Sequence, residues 1–251
     1  MKNVGIIAEY NPFHNGHKYQ IEEIRKRTGA KNIIIVMSGD FVQRGAPAWA
    51  DKYLRTEMAL SCGADFVFEL PVTFACASAE YFASAGVSLL TSLDFTDGIC
   101  FGAECKNLNP LKEIAGVLAA PNPELEERIK EQLAAGKTYP AARENALKTL
   151  FPEIFSENPD LFLAPNNILA IEYLKTIQKE NSHLLPVLIE RTDTGYHADA
   201  LPPDTSFTSA HALRLQNTDT DRDVFLKKAE NYLPKAVWNL LKENPFRYAI
   251  R

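Results

Sequence analysis

Short β-branched runs and longer amphipathic stretches take turns along the first two hundred residues of the chain. Residues 4–9, 32–37, 66–69, 98–101 and 185–189 are dense in Val, Ile, Leu and Phe, as expected of strands covered on both faces. Between them, residues 18–27, 51–62 and 78–93 place apolar side chains at three- and four-residue spacing and predict helices. The resulting order, β-α-β-α-β-α-β, is that of βαβ units. It predicts an α/β fold with a Rossmann-like, doubly wound parallel sheet.

From residue 108 to 179 the strand-like runs stop and four helical patterns follow, one opened by Asn122-Pro123 and another near Pro165-Asn166. Residues 108–180 therefore read as a helical insertion into an α/β domain made of residues 1–107 and 181–217. A loop rich in Pro and Asp at 198–205 precedes helical patterns at 209–216, 221–231 and 234–243. Residues 218–251 form a C-terminal helical segment whose mildly apolar end, Tyr248-Ala249-Ile250-Arg251, suggests a longer region cut short.

Composition narrows the picture. With 251 residues, 46% of them hydrophobic and 24% charged, the chain can fill a core for one large or two smaller domains. No stretch approaches the roughly 20 apolar residues that span a bilayer. Met1-Lys2-Asn3-Val4 leads straight into strand-like sequence without a signal-peptide pattern, so the expected address is the cytoplasm. Cys62, Cys76, Cys100 and Cys105 form no CxxC pair and lie in or beside apolar segments, which favours buried thiols over disulfides or a zinc site. A formal charge of -5 gives no global attraction to nucleic acid, so an RNA contact must come from a local basic patch or from outside this chain. The basic run Arg25-Lys26-Arg27 sits at a helix end, where it complements the dipole.

The chemistry concentrates in Gly5-Ile6-Ile7-Ala8-Glu9-Tyr10-Asn11-Pro12-Phe13-His14-Asn15-Gly16-His17, where a strand hands over to a helix. In open α/β sheets ligands bind at the carboxyl ends of strands, where helix N-termini offer N–H groups to phosphate. Gly16 lets a ligand approach the backbone. His14 and His17, three residues apart on the first turn, point the same way and can donate to phosphate oxygens as charge builds on them. The plainer reading is a pair of surface histidines beside a helix start.

This HxGH element resembles that of the nucleotidylyltransferase superfamily, whose histidines hold ATP phosphates while AMP or CMP passes to an acceptor. A second element of that superfamily is a Ser/Thr-rich turn opening a helix that ends in a basic residue. Thr208-Ser209-Ala210-His211-Ala212-Leu213-Arg214 is similar to it, which implies that Ser209 caps a helix and Arg214 reaches phosphate.

The wider spelling resembles one family. The first block, together with Met37-Ser38-Gly39-Asp40-Phe41-Val42-Gln43-Arg44-Gly45, Glu69-Leu70-Pro71, Phe101-Gly102-Ala103-Glu104, Pro165-Asn166-Asn167-Ile168-Leu169 and Arg191-Thr192-Asp193 with Tyr196-His197, is similar to the bacterial tRNA(Met) cytidine acetate ligase family. That resemblance implies an ATP-using ligase that joins acetate to AMP, releases pyrophosphate and acetylates N4 of the wobble cytidine of elongator tRNA(Met). It further implies that Ile7, Ala8, Glu9, Tyr10, Asn11, Pro12, Phe13, His14, Asn15, Gly16, His17, Lys18, Tyr19 and Gln20 line ATP. Gly102, Asn166, Arg191 and Ser209 would complete the nucleotide site, with magnesium arriving on the ATP.

Acetate is already an anion, so its attack on the α-phosphorus calls for charge neutralisation on the departing pyrophosphate more than for a base. His14, His17, Arg44 and Arg214 are the candidate catalytic groups, and Lys52 is a further cation. Arg44 reads either as a fork for phosphate or acetate or as a solvated loop arginine, and Asn166 equally suits a helix N-cap. No metal-ligand set is predicted, and Asp40 receives no metal role. Members of the family extend further, so the tRNA-facing half is expected beyond Arg251. Two other readings stand beside the ligase: a small-molecule adenylyltransferase of the same superfamily, and a nucleotide-binding module without turnover.

Overall fold

The β-branched runs all become strands in the computed structural model, which describes residues 1–190, 201–202, 204–216, 222–245 and 247. They are β1 (Asn3–Ala8), β2 (Asn32–Ser38), β3 (Phe66–Leu70), β4 (Gly98–Ala103) and β5 (Leu185–Glu190). All pair in parallel, in the order β3-β2-β1-β4-β5. The helices are α1 (Asn15–Thr28), α2 (Lys52–Ser61), α3 (Val72–Ala75), α4 (Ala79–Ser92), α5 (Leu108–Ala119), α6 (Pro123–Ala134), α7 (Tyr139–Leu150), α8 (Pro152–Glu157), α9 (Pro165–Lys179), α10 (Ala210–Leu215), α11 (Arg222–Ala229) and α12 (Lys235–Glu243).

The chain starts at the centre of the sheet, steps outward through β2 and β3, then crosses back to β4 and β5 on the other side of β1. Side chains alternate accordingly. In β2, Ile33, Ile35 and Met37 join one core with Ile21 and Ile24 of α1 and Leu54 and Met58 of α2. Ile34 and Val36 join the opposite core with Phe82 and Val87 of α4, Ile114 of α5 and Ile171 of α9. Each such side chain, fully withdrawn from water, contributes roughly 1.5–3 kcal/mol. Gly86 lets α4 pack closely on the sheet, because a Cβ there would meet the Ile7 side chain at 2.5 Å.

The segment expected to be a four-helix insertion contains five helices, since the run after α7 restarts at Pro152 as α8. Its first and last helices, α5 and α9, lie in the back layer of the sheet and share its core. An ion-pair chain ties this layer together: Arg143 to Glu172 at 2.6 Å, Lys175 to Glu172 at 2.6 Å and Lys175 to Glu80 at 2.8 Å. On the front face, Phe225 and Leu226 of α11 and Val237 and Leu241 of α12 share the core of α1 and α2. Arg247 completes the docking with two bonds to Asp51, 2.8 and 3.0 Å, and one to Glu57. No helix among the described residues is long and apolar enough to cross a membrane.

Candidate active site

The turn from β1 into α1 is built around its two histidines. His14 is the N-cap of α1, and its Nδ1 accepts from the Gly16 N–H at 3.1 Å. His17 reciprocates, its Nδ1 accepting from the His14 N–H at 3.2 Å. The rings stack with centroids 3.8 Å apart. Because backbone donors occupy both Nδ1 atoms, each neutral imidazole carries its proton on Nε2, so the turn holds two N–H donors of fixed tautomer. Gly16 is required here by contact as well as by ligand access, since a Cβ would come within 2.9 Å of the His14 ring.

Two buried aromatics brace the pair. The Tyr10 and Phe13 rings lie 4.7 and 5.4 Å from the His17 ring. Tyr10 adopts φ 48°, a left-handed conformation that costs a bulky residue about 1–3 kcal/mol and persists where its surroundings enforce it. Arg55, fully buried in α2, supplies part of that enforcement. Its guanidinium donates to the carbonyls of Glu9, Ser38, Gly39 and Ala50, gathering the exits of β1 and β2 onto one plane. Burial pulls the Arg55 pKa below its usual range.

The second motif meets the first here. Ser209 caps α10 through its Oγ, which accepts from the Ala212 N–H at 3.0 Å. From the last turn of that short helix, Arg214 Nη1 donates to the Asn11 carbonyl at 2.5 Å, across 203 residues of sequence. The Asn11 side chain holds the loop after β2 by accepting from the Trp49 N–H at 2.7 Å, and Glu9 does the same for the Gln43 N–H at 2.9 Å.

Together these elements enclose a cleft of about 1280 Å³ at the carboxyl ends of β1 and β4. Of the residues anticipated around the nucleotide, Ile7, Ala8, Glu9, Tyr10 and Asn11 line it, as do His14, Gly16, His17, Tyr19 and Gln20. Gly102, Asn166 and Arg214 line it as well. Pro12 and Phe13 are buried beneath, and Ser209 acts through its cap. Lys18 points to solvent and pairs with Glu22 at 3.6 Å. Asn15 turns toward the C-terminal segment, donating to the Ser206 and Asn231 carbonyls at 3.1 and 2.9 Å. The Arg44 backbone lies in a short 3-10 turn, Gln43–Gly45, whereas its side chain and all of Arg191 fall outside the described residues.

Asn166 is not a helix cap. Pro165, lacking an N–H and preset in φ, takes the first position of α9, so the cap falls on Ala164. The Asn166 amide instead donates to Glu104 Oε1 at 2.6 Å, beside the buried Asn167, whose Oδ1 accepts from the Glu104 and Cys105 N–H groups. Lys52 is held at 2.8 Å by Glu69, which raises its pKa. Sequence reasoning missed Arg55 and the cleft-lining Trp49, Phe82, Tyr173 and His211. For Arg55 the signal was a charge on the apolar face of α2, beside Leu54, Met58 and Ala59.

A doubly wound parallel sheet whose central strand delivers a histidine-capped helix N-terminus into a cleft at the switch point defines a nucleotidyl-transfer type of α/β domain. The family model described as HIGH Nucleotidyl Transferase matches residues 1–249, and the chain belongs to that family. Among its relatives is the tRNA(Met) cytidine acetate ligase of Acetivibrio thermocellus, 42% identical over 243 residues that make up 97% of this chain and 58% of the relative. The ligase of the same name from Caldicellulosiruptor saccharolyticus is 44% identical over 225 residues, 89% of this chain and 54% of the relative. Among solved structures, apo Thermotoga maritima TmcAL superposes with a TM-score of 0.90 at 32% identity, covering 99% of this chain and 58% of that one. The same protein bound with alpha-thio ATP gives 0.84 at 33% identity, covering 98% and 56%. The chain thus spans between half and three fifths of the length of the proteins it matches.

Proposed function

We propose that this chain carries the ATP-dependent, acetate-activating half of a tRNA(Met) cytidine acetate ligase. The observation behind this reading is the His14/His17 turn, two imidazole N–H donors preset by backbone bonds at the cleft end of the central strand. A carboxylate oxygen of acetate attacks the α-phosphorus of ATP, the bond to the bridging oxygen breaks, and pyrophosphate leaves with the electron pair. His14 and His17 donate to the phosphate oxygens on which charge accumulates, in positions that need no rearrangement during the step. Arg214 adds its charge from α10, and the sequence assigns Arg44 to phosphate or acetate and Arg191 to the nucleotide.

The acetyl group of the resulting acetyl-adenylate then passes to N4 of the wobble cytidine of elongator tRNA(Met), releasing AMP. Activation is needed because that amine's lone pair is delocalised into the ring. The alpha-thio ATP held by the Thermotoga maritima protein and the names of the curated relatives support the reading. Magnesium would arrive on the ATP phosphates and neutralise part of their charge.

The test is to incubate the chain with ATP and acetate, then with tRNA(Met), and to assay acetyl-adenylate and acetylcytidine separately by mass spectrometry. Acetyl-adenylate is expected. Pyrophosphate released with a phosphorylated small molecule but not with acetate would instead identify an adenylyltransferase of other specificity. ATP binding without pyrophosphate release under either condition would identify a binding module.

A further inference from the structure

Beyond the histidine turn the cleft runs to the ends of β4 and β5, where Gly102, Asn166, Leu169 and Ile189 line it. In the sheet β4 is the neighbour of β1 and β5 the next strand out. This end therefore lies one to two strand spacings, about 5–10 Å, from the strand that carries His14 and His17. Gly102 has no Cβ, and the Leu169 and Ile189 side chains are apolar. A flat ring can thus lie against the backbone here, and Asn166 brings a side-chain amide to the same end.

The orientation of that amide is set from behind. Glu104, the first residue after β4, is not itself part of the cleft lining. Its backbone N–H donates to Oδ1 of the buried Asn167 at 3.0 Å, and that of Cys105 does so at 2.9 Å, which ties this loop to the first turn of α9. The Glu104 carboxylate accepts from Asn166 Nδ2 at 2.6 Å, while its other oxygen, Oε2, is buried without a hydrogen-bond partner among the described residues. A carboxylate offers acceptors and no donor, so the Asn166 amide turns its nitrogen toward Glu104 and its oxygen away. Among the described residues Asn166 Oδ1 has no partner of its own.

We infer that Glu104 is a positioning residue for nucleotide selection: by holding Asn166 Nδ2 it presents Asn166 Oδ1 to the cleft, where that oxygen accepts from the exocyclic amine of adenine. This inference rests on the ATP-using reading and deepens it by naming the pair that selects the base. A 6-oxopurine carries an oxygen in place of that amine, so two acceptors face each other and both lose the hydrogen bonds they made to water. Turning the Asn166 amide over to suit the oxopurine would set its oxygen against the Glu104 carboxylate. The mismatch is then moved and not removed.

The test is calorimetric binding of ATP and, separately, inosine triphosphate to the parent, Glu104→Gln, Asn166→Ala and the double variant. The parent should bind ATP at least about tenfold more tightly than inosine triphosphate, the factor of one hydrogen bond set against an unpaired acceptor. Glu104→Gln keeps the shape of the side chain but both accepts and donates, so the Asn166 amide can take either orientation. Its ATP affinity should stay within about twofold of the parent while that for inosine triphosphate rises, bringing the ratio to about threefold or less. A merely structural Glu104 would weaken both nucleotides together. Asn166→Ala should lose the preference, and adding Glu104→Gln to it should change neither affinity further. Absent ATP binding, equal binding of the two nucleotides by the parent, an undiminished preference in a folded Glu104→Gln or Asn166→Ala, or additive effects in the double variant would overturn the inference. Acetate-dependent exchange of pyrophosphate into ATP, measured on the same parent sample, separates the two ideas. Exchange without ATP preference sinks base selection alone, whereas ATP preference without exchange sinks the acetate-activation reading.

Discussion

At the scale of single residues, His14 does two things at once: it caps α1 through Nδ1 and offers Nε2–H as a donor. The two functions can be separated. His14→Ala is expected to lower acetate activation at least about 100-fold, as loss of a preset donor does, and to cost about 1 kcal/mol as loss of a cap does. His14→Asn restores the cap, so thermal stability should return while activity does not; an active Asn variant would mean that the ring serves only the helix. The spacing of the two histidines was legible because it is local to four residues. Their tautomer was not, since it depends on where the Gly16 and His14 N–H groups point. The cysteines provide a second residue-level check. Burial pushes Cys62 up to about 11 and Cys100 up to about 12, while Cys76 and Cys105 are half-buried. Iodoacetamide at pH 8 should therefore label Cys76 and Cys105 before Cys62 and Cys100, as peptide mass mapping would show.

Among the elements, α2 connects the site to the rest of the fold. Arg55 satisfies four buried or part-buried carbonyls at once, so Arg55→Met should destabilise by on the order of 3 kcal/mol or more, read from denaturant unfolding. A loss below about 1 kcal/mol would show that the carbonyls find other donors. At the start of the same helix, burial works against ionisation of Asp51, but its bonds to Arg247 and to the Leu54 N–H outweigh it and lower the pKa. A lowered carboxyl pKa stabilises the fold above the unfolded value of about 3.8 and loses that contribution as pH falls through the folded value. Acid below about pH 4 should thus weaken the anchoring of the C-terminal helices by about 1 kcal/mol, with no change between pH 5 and 7. In Arg247→Ala that acid step in thermal stability should shrink. Strand and helix positions were readable within a few residues because β-branched runs and three-four spacing are local signals. The Arg55 role and the Ala164 cap were not, because one depends on carbonyls from three other segments and the other on which residue Pro165 displaces.

For the whole molecule, the alternation of runs foretold the doubly wound sheet, and the structure and the family match agree with it. What the pattern could not show is how distant segments share a layer. The stretch read as an insertion contributes α5 and α9 to the back core, and residues after 221 pack on the front core through Phe225 and Val237. The meeting of Arg214 with Asn11 likewise exists only once the chain has returned to its first strand. These long-range closures place both motifs on one cleft within a chain that covers 58% of its Acetivibrio thermocellus relative. The function proposed for this cleft is activation of a carboxylate with ATP. Its most direct test is exchange of labelled pyrophosphate into ATP by the chain alone. Exchange that requires acetate and disappears in His14→Asn and His17→Ala is the predicted result; exchange indifferent to acetate, or undiminished in both variants, would contradict it.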